Sequence, residues 1–316
     1  MARADELYPA EVYHGSTHDI NEFDATNANP ESDWGPATYT STSMDDINPN
    51  YAGEGPDLTQ RIQIQAERIA DDMGLDYDDP EVIAAARKQV KGGNEGVVYP
   101  LRMNTEKYAN IGGDNPTYIE MPDYHAQAAD DIDRADYADD WEYEDAVSER
   151  VWELEADDYD HPLVAIADRI KRMSAEEDMA DAAIMEIRER GADGLTATDI
   201  DEIIRSNNLY GEGDNGEIIP AGGISAKVLE DLGFEGVIDN TVDAKFGSSR
   251  RLGQHMEGVY PDTQHVVTFP GYEKNIRSIN AKFDPKKKNS ANILAGGAAA
   301  ALGLNALYDR DEYVTK

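Results

Sequence analysis

Val12-Tyr13-His14-Gly15-Ser16 is the stretch that decides how this chain reads. An apolar residue and an aromatic lead in and a small polar residue ends the run, the pattern of a short β-strand closing on a turn. Such a strand delivers an imidazole beside a residue that has no side chain. Gly15 lets a ligand approach the main chain and use its N–H and C=O groups. A single His-Gly at a strand end is most often only a turn. Its weight therefore comes from the residues that stand at suitable distances downstream of it.

The totals bound the possibilities. The chain has 316 residues, enough for one large domain or two ordinary ones. Hydrophobic residues make up 40%, which permits a core, while 29% charged residues and a mean hydropathy of -0.65 describe a heavily solvated chain. The net charge of -37 opposes ordinary nucleic-acid binding, because phosphates are repelled. It fits high solubility, a salty environment or a basic partner. There is no cysteine, which excludes disulfides and thiolate metal sites. The six histidines form neither HxxxH nor HExxH, so no metal site is expected. Residues 1–6 lack the apolar core of a secretory signal. The Gly/Ala/Leu-rich run 293–307 is shorter than the roughly 20 residues needed to span a bilayer, so no transmembrane segment is expected.

Along the chain, strand patterns alternate with helical ones. The first strand is followed by an Ile20…Phe23 corner, a polar loop over 25–38 and a β-prone run at Gly35–Thr42. Asp45–Tyr51 reads as a short helix or turn broken by Pro49. Leu58–Met73 and Pro80–Val90 read as helices, and Gly96–Met103 as a strand. From about 114 to 216 acidic residues dominate and apolar residues recur at helical spacing. Val147, Val151 and Leu154, then Leu163, Ile166 and Ile170, then Ala183, Ile184 and Ile187 mark three or four amphipathic helices. A further helix opens at Thr198, taken as N-cap with Asp201 or Glu202 in its first turn. After Gly222-Gly223, a helix over Ile224–Leu232 stops at Gly233. Strands come next at Phe234–Asp239, Gln264–Phe269 and Asn275–Ile279, the last at an edge. The acidic run itself is most simply a solvated face.

In this order, His14-Gly15-Ser16, Tyr39-Thr40-Ser41, Tyr51-Ala52, Val98-Tyr99-Pro100, Leu232-Gly233-Phe234-Glu235-Gly236-Val237-Ile238, Val266-Val267-Thr268-Phe269 and Ile276-Arg277-Ser278 resemble an ADP-ribosyltransferase signature. The type is that of phage polyvalent and virion-associated proteins. The tail segments around Asn280–Pro285 and Ser290–Ala295 are similar to the phage versions too. The resemblance covers about 11–115 and 222–295, and it is carried by the order of the motifs, not by any one of them. It implies an α+β fold with a split, mostly antiparallel β-core around a nucleotide cleft and an acidic helical insertion. The implied division is 1–115 for the first part of the core and 116–216 for the insertion. The second part of the core is 217–290, and 291–316 is the tail.

The resemblance also assigns roles. NAD+, the implied substrate, loses nicotinamide and leaves an oxocarbenium-like ribose for a nucleophile. Gly15 supplies backbone groups to the nicotinamide amide, His14 bonds a ribose hydroxyl, and Tyr39 and Tyr51 sandwich the nicotinamide ring. Ser16 and Ser41 add hydrogen bonds. The family carries an acidic residue at the start of the late strand, which stabilises developing positive charge. In this chain that slot holds Gln264. Either the enzyme is slow and specific, or Glu257 or Asp262 supplies the carboxylate, or the pocket binds NAD+ without turnover. Arg250 and Arg251 either meet the pyrophosphate or form a surface pair in an acidic protein.

The expected function is accordingly NAD+-dependent mono-ADP-ribosylation of a protein acceptor, such as a host protein after ejection. Phage virion and host cytoplasm are the expected locations, with other virion proteins as partners. The alternative is a virion or ejected structural protein whose transferase-like domain serves only as a scaffold. A third reading has the acidic helices mimic nucleic acid and occupy a basic site on a host protein.

Overall fold

The computed structural model describes residues 7–16, 20–25, 28–47, 56–91, 96–120, 122, 124–157, 161–191, 194–213, 216–245, 261–280, 290 and 292–293. The expectations for Tyr51, Arg250, Arg251, Glu257 and the tail after 293 lie outside the described residues.

The fold mixes helices and strands. In chain order it runs β1 (Ala10–Ser16), β2 (Thr38–Ser41), α1 (Met44–Ile47), α2 (Pro56–Met73), α3 (Pro80–Lys91), β3 (Val97–Met103), β4 (Tyr108–Ile111) and β5 (Tyr118–Ile119). Then come α4 (Tyr124–Asp131), α5 (Asp140–Asp157), α6 (Pro162–Met173), α7 (Glu177–Gly191), β6 (Leu195–Thr196), α8 (Ala197–Ser206), β7 (Gly211–Glu212) and β8 (Ile218–Ile219). The last elements are α9 (Ala221–Asp231), β9 (Gly236–Asp239), β10 (His265–Thr268) and β11 (Ile276–Ser278). Two compact units emerge. The first takes in 1–25, 38–106 and 242–316, and the second 26–37 and 107–241. The acidic helices thus share a unit with 217–241, which the resemblance assigned to the core. No helix among the described residues is long and apolar enough to cross a membrane.

The first unit is built on strands ordered β11-β3-β1-β2-β10, every neighbour antiparallel. Alternation sends Val12, Leu101, Met103, Val266 and Ile276 to one buried face, as period-two side chains require. The helices α2 and α3 pack as a hairpin on Ile62, Ala66, Ala70, Val82 and Ala86. These recur every fourth residue, so each helix shows one narrow apolar stripe, and the alanines let the two backbones approach. Gly74, at φ +64°, ends α2 in the left-handed conformation, with the Leu75 N–H reaching the Ala70 carbonyl at 3.2 Å.

In the second unit β4 and β9 pair in parallel, from Tyr108↔Gly236 to Ile111↔Asp239. Parallel neighbours need a long crossover connection. The acidic helices lie within that connection, between the two strands. The four-residue β4 carries too little alternation to be read from sequence. Ile166 and Ile170 on α6, Ile187 on α7, Ile200, Ile203 and Ile204 on α8, and Val228 and Leu229 on α9 are buried.

Two helix starts differ from the sequence expectation. The helix α8 is capped by Thr196, not Thr198. The Thr196 side chain accepts from the Asp199 N–H at 3.1 Å and Asp199 returns the bond to the Thr196 N–H at 2.8 Å. Thr196 pairs with Tyr118 in a short ladder, so strand and cap share one residue. Thr198 instead accepts from the Gly112 N–H at 2.8 Å. The helix α9 begins at Ala221, before the glycines expected to precede it. A Cβ on Gly222 would lie 2.0 Å from the Asp33 carbonyl oxygen, so the glycine serves close packing, not a break.

Candidate functional site

The expected site centres on β1. Its register with β3 runs from Ala10↔Met103 to Ser16↔Val97, and it places His14 opposite Tyr99. Register with β2 is marked by Tyr13↔Ser41. At this fork the next residue, His14, turns its ring toward β2. Its Nδ1 lies 2.7 Å from the Tyr39 carbonyl oxygen.

That contact settles the tautomer by chemistry. A carbonyl only accepts, so Nδ1 carries the hydrogen. Desolvation by burial pushes the imidazole below its usual range, and the nearby positive charge of Arg61 pushes the same way. The bond to Tyr39 opposes them without winning. His14 is therefore neutral near pH 7, with Nε2 an acceptor. Phe23 meets the ring edge-on at 4.9 Å between centroids, and Tyr99 lies tilted at 6.4 Å. The segment leading into Phe23 is tied down by two hydrogen bonds. Ile20 N–H donates to the Tyr99 hydroxyl at 2.7 Å, and Ile293 N–H donates to the Asn21 carbonyl at 3.1 Å.

Gln264 directly precedes β10. Its N–H donates to the Thr42 hydroxyl at 3.0 Å and its carbonyl accepts from the Thr42 N–H at 3.0 Å. Register between β10 and β2 runs from His265↔Ser41 to Thr268↔Thr38. Alternation then puts Gln264, Val266 and Thr40 on the face that His14 shares with Tyr99. Thr40 confirms that face, its hydroxyl donating to the Val266 carbonyl at 2.7 Å and lying 3.4 Å from Met103 Sδ. Strand spacing and rise put the His14 and Gln264 backbone positions about 12 Å apart, with the buried Thr40 and Val266 between them.

The other expected residues divide. Gly15 and Ser16 continue β1 opposite Val98 and Val97, and Ser16 is buried. Tyr39 and Ser41 alternate with Thr38 and Thr40, so their side chains belong to the opposite face from His14. Tyr39 reaches His14 with its carbonyl, not its ring. Asp262 is exposed. Among the described residues no group of three or more His, Asp or Glu side chains could hold a metal ion.

On the face of Tyr39 and Ser41 lies a constellation that sequence reasoning missed. His265 Nε2 lies 2.9 Å from Asp46 Oδ2, and the Asp46 carboxylate is fully buried. Ser41 Oγ accepts from the Ser43 N–H at 3.1 Å, and Ser43 Oγ accepts from the Asp46 N–H at 3.3 Å. The pair ties α1, which comes after β2, to the strand that begins beside Gln264. The available signal was local: a serine three residues before a carboxylate, and a histidine entering an apolar strand.

The chain was compared with protein-family models, curated proteins and solved structures, and none matches.

Proposed function

We propose that the chain is an NAD+-dependent mono-ADP-ribosyltransferase of the phage type, acting on a protein acceptor through an ADP-ribosyltransferase-like split β-core. The observation that carries this reading is the pairing of a neutral, oriented His14 with Gln264 on one face of antiparallel strands. In the proposal, His14 Nε2 accepts a hydrogen bond from a ribose hydroxyl and the Gly15 backbone meets the nicotinamide amide. Tyr51 stacks on the nicotinamide ring, Ser16 adds a polar contact, and Tyr39 contributes the carbonyl that orients His14. Gln264, or the carboxylate of Glu257, takes the place beside the developing oxocarbenium. The Tyr39 ring and the Ser41 hydroxyl lie on the opposite face of β2, which is paired on both sides, so neither meets the nicotinamide in this proposal. Nicotinamide leaves with the electron pair of the glycosidic bond, and the acceptor's nucleophile forms the new bond to the anomeric carbon and loses a proton.

Incubation with labelled NAD+ and a bacterial lysate tests the proposal. Label should enter protein, and His14→Ala should abolish it. No transfer and no hydrolysis, with the variant indistinguishable from wild type, would count against it.

Gln264 also favours a second reading, a virion or ejected protein in which the same fold is a scaffold without turnover. A glutamine accepts hydrogen bonds but brings no negative charge to an oxocarbenium. Calorimetry with NAD+ separates the two, since tight binding undercuts a pure scaffold.

A further inference from the structure

Two of the chain's three tryptophans stand in solvent on one helix. Trp141 is 75% and Trp152 56% exposed, while Trp34 is buried. Both exposed rings belong to α5. Tyr143, Ala146, Val147, Arg150, Val151 and Leu154 make the inward side of that helix, and Val147 is its buried apolar contact. Trp141, Asp145, Ser148 and Trp152 succeed each other at intervals of four, three and four. They therefore lie along a single stripe on the outward side. The two indoles are about 16 Å apart along the axis. Glu144 and Glu149 flank the stripe. Asp145 and Glu149 have no hydrogen-bond or ion-pair partner among the described residues, and Trp141 has no ring contact among them.

The stripe sets two solvent-exposed indoles among carboxylates, and aromatic faces in a negative setting attract cations. The chemistry of its occupant is set by charge. Carboxylates bracket the rings, and the net charge of -37 repels phosphates, anionic lipid and a second copy of this chain. The molecule already shows what these rings accept: the Arg188 guanidinium stacks on Trp152 with its central carbon 4.9 Å from the ring centroid. We propose that the outer face of α5 docks an arginine-rich amphipathic segment of another protein. Guanidinium groups stack on Trp141 and the open side of Trp152 while pairing with Asp145 and Glu149, and the segment's apolar residues cover the indole edges. The proposal is independent of any NAD+ chemistry.

The probe is a synthetic amphipathic peptide of arginine, leucine and alanine, about five helical turns long. A counterpart with glutamate for arginine serves as control. Binding to the full chain is measured by calorimetry and by indole fluorescence at about 0.15 M salt. The arginine peptide should bind with a blue-shifted emission and the glutamate peptide should not. Trp141→Ala, which removes no ring contact among the described residues and no charge, should weaken binding at least about tenfold, the loss expected for an aromatic anchor. Asp145→Asn with Glu149→Gln should weaken it as well and flatten its salt dependence. Unchanged affinity in Trp141→Ala would reduce the effect to bulk charge and overturn the proposal. So would self-association of the chain, or binding of duplex DNA, that Trp141→Ala abolishes.

Discussion

His14 concentrates the chemistry of the first unit in one ring. Its Nδ1–H is committed to the Tyr39 carbonyl, and burial with Arg61 nearby keeps the ring neutral. Protonation therefore works against the fold. In an unfolded chain the group titrates near 6.5, and in the folded chain lower. Between those two values the unfolded state binds more protons. The stabilisation is complete above about pH 6.5 and fades as pH falls through the folded value. Imidazole NMR should give His14 a pKa below 6.5, and His14→Gln should remove this part of the acid sensitivity from urea midpoints. Gln264 tests the transferase reading at the same scale. If its amide stands where a carboxylate would stabilise an oxocarbenium, Gln264→Glu should raise transfer or NAD+ hydrolysis by roughly 10²–10³. An unchanged or lower rate in a folded Gln264→Glu protein would remove Gln264 from that role.

At the scale of elements, the capping box of α8 shows how closely a neighbouring residue can mislead. Thr196 and Thr198 both precede the apolar stripe of Ile200, Ile203 and Ile204. The cap is Thr196 because its backbone already ends the short ladder with β5. Thr196→Ala should lower stability by about 1 kcal/mol, read from chemical denaturation. The Asp199 carboxyl sits below its ordinary value of 3.8, because the Thr196 hydrogen bonds, with Arg190 beside them, outweigh the opposing desolvation. In Thr196→Ala its pKa should move back up, measurable by carboxyl NMR. Four helices were legible from their periods: α2, α3, α6 and α7 fall where the apolar spacing puts them. The start of α9 was not, because Gly222 and Gly223 read as a break, whereas Gly222 packs closely on Asp33.

At the scale of the whole molecule, a net charge of -37 is a standing repulsion that compact folding makes worse. Salt screens it over about 10 Å at 0.1 M. Raising sodium chloride from about 0.02 M to about 0.3 M should increase the Tm by several degrees, measured by scanning calorimetry. A flat or falling Tm would mean that local ion pairs such as Arg169–Asp231, at 2.6 Å, outweigh the collective repulsion.

Composition and local period determined that this chain would be acidic, free of disulfides, and built of strands, then helices, then strands. They also located the His14 strand and the strand after Gln264, because alternation is written into neighbouring residues. Tertiary structure alone decided that β4 and β9 run parallel around the helical segment. It alone set Tyr39's carbonyl, not its ring, against His14, and brought a buried Asp46 to His265. Register is the reason. Which residues of separate strands lie side by side depends on many small packing gains summed over the whole sheet, and a one-residue slip would exchange every face.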